Sequence, residues 1–153
     1  MNITLHIRQS LILASLIFFA ISGISQASNT HDWLENVPTE QFRLPIFGQT
    51  GFRVWELEGQ EGIARSSNMI EVKGMKLRTY DDNGTEVTML LESPLAFFQP
   101  KDHIANGPGF ICATGAKFNL VGRNWHWQGK PNGNNTLEIK QEVRVTFTKS
   151  FKY

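Results

Sequence analysis

Between Phe118 and Phe147 apolar and polar residues alternate in short runs. Phe118 and Leu120 flank Asn119, Trp125 and Trp127 flank His126, and Val143, Val145 and Phe147 interleave with Arg144 and Thr146. A period of two puts every second side chain on one face of a sheet. The stretch therefore predicts short antiparallel strands with one apolar and one polar face. Gly122-Arg123-Asn124 and Pro131 to Asn135 read as the turns between them, with Leu137 and Ile139 marking a further short run. The pattern carries no catalytic constellation. It offers a continuous apolar surface.

Strand signals recur at roughly ten-residue spacing through the preceding chain, the spacing of an all-β fold. The core is expected to begin at Ile46. Phe52 to Leu57 is strand-like, and Ile70 to Thr79 reads as one strand interrupted by Gly74, where a bulge shifts the alternation by one. Asp81-Asp82-Asn83-Gly84 is the strongest hairpin signal, because Asn-Gly supplies the positive backbone angles of a tight turn. Val87, Met89 and Leu91 then alternate with Glu86, Thr88 and Leu90, and Pro94 marks a strand end or an edge. Leu95 to Phe98 and Phe110 to Ala113 are further short strands. No convincing helix follows the N-terminal segment.

That segment has the layout of an export signal. A polar start carries Arg8 as its only formal charge, Leu11 to Ile24 is almost continuously apolar, and Ser25-Gln26-Ala27 places small residues before a cut. Residues 1–27 are expected to be a signal peptide cleaved before Ser28, the competing reading being an uncleaved anchor. Residues 28–45 read as a lead-in with mixed polarity, and residues 46–153 as one β domain. Without Arg8 the basic and acidic residues balance at 14 each, which argues against a nucleic-acid binder. Cys112 is the only cysteine. It excludes an intramolecular disulfide and paired-cysteine metal sites, and its apolar neighbours suggest a small buried hydrophobe.

The residues also resemble a known family. Gly51-Phe52-Arg53-Val54-Trp55-Glu56-Leu57-Glu58-Gly59 followed by Ile70 to Met75 resembles the start of LptC-type periplasmic proteins. Ser93-Pro94, Gly107-Pro108, Gly115, Gly122 to Trp127 and Val143 to Phe147 resemble the later ladder of the same LptC/LptA-OstA superfamily of lipopolysaccharide transport. The resemblance covers about residues 46 to 148. It implies a twisted, V-shaped β-jellyroll of antiparallel strands, located in the periplasm, that shields lipid acyl chains in a groove and joins related transport-bridge modules in outer-membrane assembly. Anchored members sit in the inner membrane, a station open to this chain only if its leader stays uncut.

An unfilled groove between sheet faces accepts acyl chains because each methylene taken from water gives roughly 0.8 kcal/mol. The residues expected to line it are Phe97, Phe118, Leu120, Trp125, Trp127, Val143, Val145 and Phe147; the plainer reading is that they fill a closed core. The ends of the sheet, near Phe52 and at Val143 to Phe147, are expected to dock other chains by edge pairing. An alternative is a secreted β-sandwich carbohydrate-binding domain using Trp125 and Trp127 as a stacking platform. If both rings face inward they are core, and His126 is outside. His103 and His126 lack partners at ligand spacing, so no metal or cofactor is expected. Ser66-Ser67 and Asp102-His103 supply the residue types of a hydrolase without a nucleophile elbow. No enzyme is expected.

Overall fold

The computed structural model describes residues 36–131 and 133–148. Seven strands follow one another: β1 (Pro38–Phe47), β2 (Arg53–Ser66), β3 (Met69–Tyr80), β4 (Val87–Gln99), β5 (Ile104–Gly115), β6 (Phe118–Gln128) and β7 (Thr136–Phe147). Each pairs antiparallel with the next, giving one open sheet in sequence order with β1 and β7 as its edges. No helix occurs among the described residues. The expected leader, residues 1–27, lies outside them.

The sheet rolls over onto itself. Trp55 on β2 meets Trp127 on β6 edge to face, with ring centroids 5.2 Å apart, and meets Phe98 on β4 at 5.9 Å. In a flat sheet β2 and β6 would lie roughly 19 Å apart at about 4.8 Å per strand. The turn after β1 reaches the turn after β6, where a Cβ on Gly48 would sit 2.9 Å from the Pro131 carbonyl oxygen. Trp55, Leu57, Val72, Met75, Leu77, Leu91, Ala96, Phe98, Ala105, Ile111, Ala113, Trp125 and Trp127 form the buried core on the inner face of this roll. Each large side chain removed from water there contributes roughly 1.5–3 kcal/mol.

A belt of irregular positions crosses the sheet and explains why alternation breaks in mid-strand. Gln41, Gly74, Asn124 and Glu142 have positive φ, at 51°, 60°, 52° and 51°. The pairs Glu40↔Glu61 and Phe42↔Gly59 bracket Gln41 opposite Gln60. The pairs Lys73↔Leu95 and Met75↔Ser93 bracket Gly74 opposite Pro94. Beyond Pro94 the register shifts at the same level in the β4–β5, β5–β6 and β6–β7 pairs. On either side of the belt the buried set changes parity: Val72 then Met75, Ser93 then Ala96, Gly122 then Trp125. A left-handed residue adds the half-twist that keeps the apolar set on the same face.

The belt revises several sequence readings. Phe118–Leu120 and Trp125–Trp127 belong to one strand, β6, with Gly122-Arg123-Asn124 inside it rather than forming a turn. Likewise Leu137, Ile139 and Val143 to Phe147 share β7. Pro94 sits within a central strand, where the β4–β5 ladder is interrupted and the buried Ser93 hydroxyl lies 2.9 Å from the Leu95 carbonyl and 2.8 Å from that of Phe110. The sheet begins at Pro38, inside the stretch expected to be a lead-in. An edge strand tolerates Pro38 and Pro45 because its outer N–H groups need no partner. Cys112 is only half-buried and lies on the outer face, with Sγ 3.3 Å from Asn119 Oδ1. The Asp81 turn is longer than a two-residue hairpin, its carboxylate accepting from the N–H groups of Thr85 and Glu86.

The outer face of β1 to β3 carries a cross-strand ion network. Glu58 pairs with Arg43 and, at 2.6 Å, with Arg78, while the buried Glu56 lies 2.9 Å from Arg53. The Arg78 hydrogen bond holds the Glu58 carboxyl below its ordinary value of 4.5 against the opposing effect of burial. A depressed folded value contributes stability that is present above the ordinary value and lost as pH falls through the folded one. Unfolding free energy from urea titrations should therefore decline from about pH 5 to about pH 3. The decline should be shallower in Glu58→Gln; an unchanged slope would show that this pair does not matter.

Candidate functional site

The inner face is not covered everywhere. On β6 Leu120 packs against the core, and its direct partner across the ladder is Val145. Directly opposed residues share a face, so Phe118, Leu120, Val143, Val145 and Phe147 form one inner strip running out from the core. Its outer members stay in solvent: Val145 is 43% exposed, Val143 52% and Phe147 73%. The Phe118 ring covers Gly115, where a side chain would collide with it. The strip is an apolar shelf that is half-buried along β6 and open to solvent along β7.

Of the eight residues expected to line a groove, five gather on this shelf. Trp125 and Trp127 lie deeper on the same face and are sealed, at 2% and 0% exposure. Both point inward, so His126 is outside and the two rings cannot stack on a sugar in this fold. Phe97 departs from the other seven. Its neighbours Ala96 and Phe98 are core, so Phe97 lies on the outer face, paired with Asn106. The expectation failed because Leu95 to Phe98 is apolar on both sides, and only the parity set by Pro94 decides which ring turns in.

A second inner patch escaped the sequence reading. Val37, Thr39, Phe42, Gly62, Ala64 and Ile70 surround an apolar cavity of about 280 Å³ at the start of β1. The Phe42 ring lies over Gly59 and Gly62, which leave room for it by lacking side chains. Alternation of Phe42, Leu44 and Ile46 was the available signal, obscured by Pro45 and the break at Gln41. Correspondingly, the first edge is β1, not the strand that follows Phe52, which is the interior strand β2.

Among the described residues the side chains of Ser66, Asp102 and His103 make no hydrogen bond to one another. Asp102 accepts from the Asn68 amide at 2.9 Å, whereas the His103 ring packs edge-on against Trp55 at 5.4 Å. Ser66 Oγ accepts from the Asn68 N–H. Among the described residues no group of three or more His, Cys, Asp or Glu is placed to hold a metal ion. No family model matches the chain, and no curated protein matches it.

Proposed function

We propose that the protein is a non-catalytic, lipid-binding module of lipopolysaccharide transport in the periplasm, its rolled sheet being the twisted β-jellyroll of the LptC/OstA type. The observation that carries this reading is the exposed inner shelf of Phe118, Leu120, Val143, Val145 and Phe147. A soluble chain rarely leaves such a continuous apolar row uncovered without a partner for it. Acyl chains fit that need, since burying about ten methylenes at roughly 0.8 kcal/mol each is ample binding energy without any charged pocket. A photo-crosslinking residue at Phe118 or Val145 should capture lipid in cells, while one at the outer-face Lys73 should not. Absence of lipid adducts at every inner position would sink the reading.

The same reading includes joining to related modules through edge strands, and the belt suggests a register. In an antiparallel joint between β7 of one copy and β1 of another, Val145 opposite Thr39 keeps both on the inner face. That alignment brings the breaks at Glu142 and Gln41 side by side and extends the shelf with the Val37–Phe42 patch. It also sets Arg144 opposite Glu40 on the outer face, a favourable cross-strand pair.

A further inference from the structure

The outer face holds a cleft that the lipid reading does not use. Phe97, Asn106 and His126 form one row across β4, β5 and β6, each paired directly with the next. Pro108, Asn124 and Lys140 stand one step nearer the belt. Together with Gly107 and Trp125 they line a space of about 370 Å³. The cleft exists because the β4–β5 ladder stops at Glu92↔Cys112 and resumes at Phe97↔Asn106. Gly107 keeps the backbones close there, since a Cβ on it would lie 2.9 Å from the Leu95 carbonyl oxygen and 3.0 Å from the Trp125 indole nitrogen.

The lining has a definite chemistry. Phe97 and Pro108 give an apolar floor, and two amides and an imidazole stand around it. The side chains of Asn106, Asn124 and His126 make no hydrogen bond to another described residue. Lys140 is the one charged group in the lining, held only loosely by Glu138 at 3.9 Å. No carboxylate lines the cleft. An aromatic face suits the C–H face of a sugar ring, amides suit paired hydroxyls, and an ammonium suits an anionic substituent.

We propose that this cleft binds an anionic saccharide, with a ring on Phe97, hydroxyls on Asn106 and Asn124, and a carboxylate or phosphate on Lys140 beside His126. A space of this size falls within the range of small-ligand sites. The proposal is independent of the lipid shelf, which lies on the opposite face.

Titrating the isotope-labelled full chain with an oligogalacturonate, and separately with a neutral galactose oligosaccharide, tests it by NMR. The acidic ligand should give saturable shifts confined to residues around Phe97, Asn106 and His126, with Kd below about 5 mM. Lys140→Gln should weaken it about tenfold, the loss of one charge-assisted contact, and erase the preference over the neutral sugar. Phe97→Leu, which keeps an apolar group on the surface, should weaken both sugars. Absent saturation, shifts centred elsewhere, or affinities unchanged in Lys140→Gln and Phe97→Leu would each overturn the proposal. Amide spectra of both variants report whether the fold is kept.

Discussion

Replacing Trp55 by alanine is expected to cost about 3–5 kcal/mol of folding free energy, the range for deleting a large buried aromatic. Trp55 is fully buried and touches Phe98, His103 and Trp127, so it ties β2 to β4, to the turn before β5 and to β6. Those contacts cross the roll rather than run along the ladder. Their loss leaves a cavity where the two halves of the sheet meet. A domain of this size holds only about 5–15 kcal/mol in total, so the variant should unfold at much lower denaturant than the parent. Trp55→Phe should be milder. The indole nitrogen has no hydrogen-bond partner among the described residues, and phenylalanine keeps most of the ring volume. Equal loss in the two variants, or a loss under about 1 kcal/mol in Trp55→Ala, would mean that the roll is not held by this cluster.

Copies carrying Thr39→Cys and Val145→Cys together, on a Cys112→Ser background, are expected to form a ladder of disulfide-linked multimers under mild oxidation. Directly opposed residues in an antiparallel pair lie about 4.5–5.5 Å apart at Cα, within the reach of a disulfide. A mixture of the two single variants should stop at heterodimers, because each copy then offers one joint only. Moving the second cysteine to Arg144 should abolish bridging, since one residue along the strand turns the side chain to the other face. The charge pair gives an independent check. Glu40→Arg should weaken association by opposing Arg144, and Glu40→Arg with Arg144→Glu should restore it. Bridging at Arg144 as readily as at Val145 would refute the register.

The β class was legible from the alternation itself, and Phe118, Leu120, Val143, Val145 and Phe147 were legible as one face because they share parity on the same side of the belt. What escaped depended on backbone angles that the sequence pattern does not reveal. Asn124 and Glu142 adopt positive φ within strands, although neither is glycine, so each long strand read as two short ones. The positive φ of Gln41 breaks the alternation of β1, so its first half read as a lead-in and the first edge with its apolar patch stayed concealed. Pro94 misled in a different way. Proline is normally excluded from a central strand, and here it is tolerated because the ladder on its β5 side is already interrupted. That interruption also decides the fate of Phe97, which looked like a core ring beside Phe98. Trp125 and Trp127 were identified as inward candidates, but their complete burial follows from the sheet rolling until β2 covers β6, a long-range event outside local periodicity.

The central claim is that the inner shelf contacts lipid, and β7 allows a direct measurement. A photo-crosslinking residue placed in turn at positions 143, 144, 145, 146 and 147 should give lipid adducts that follow the pleat: strong at Val143, Val145 and Phe147, weak at Arg144 and Thr146. Adducts of equal strength at all five positions, or none at the three inner ones, would contradict the account.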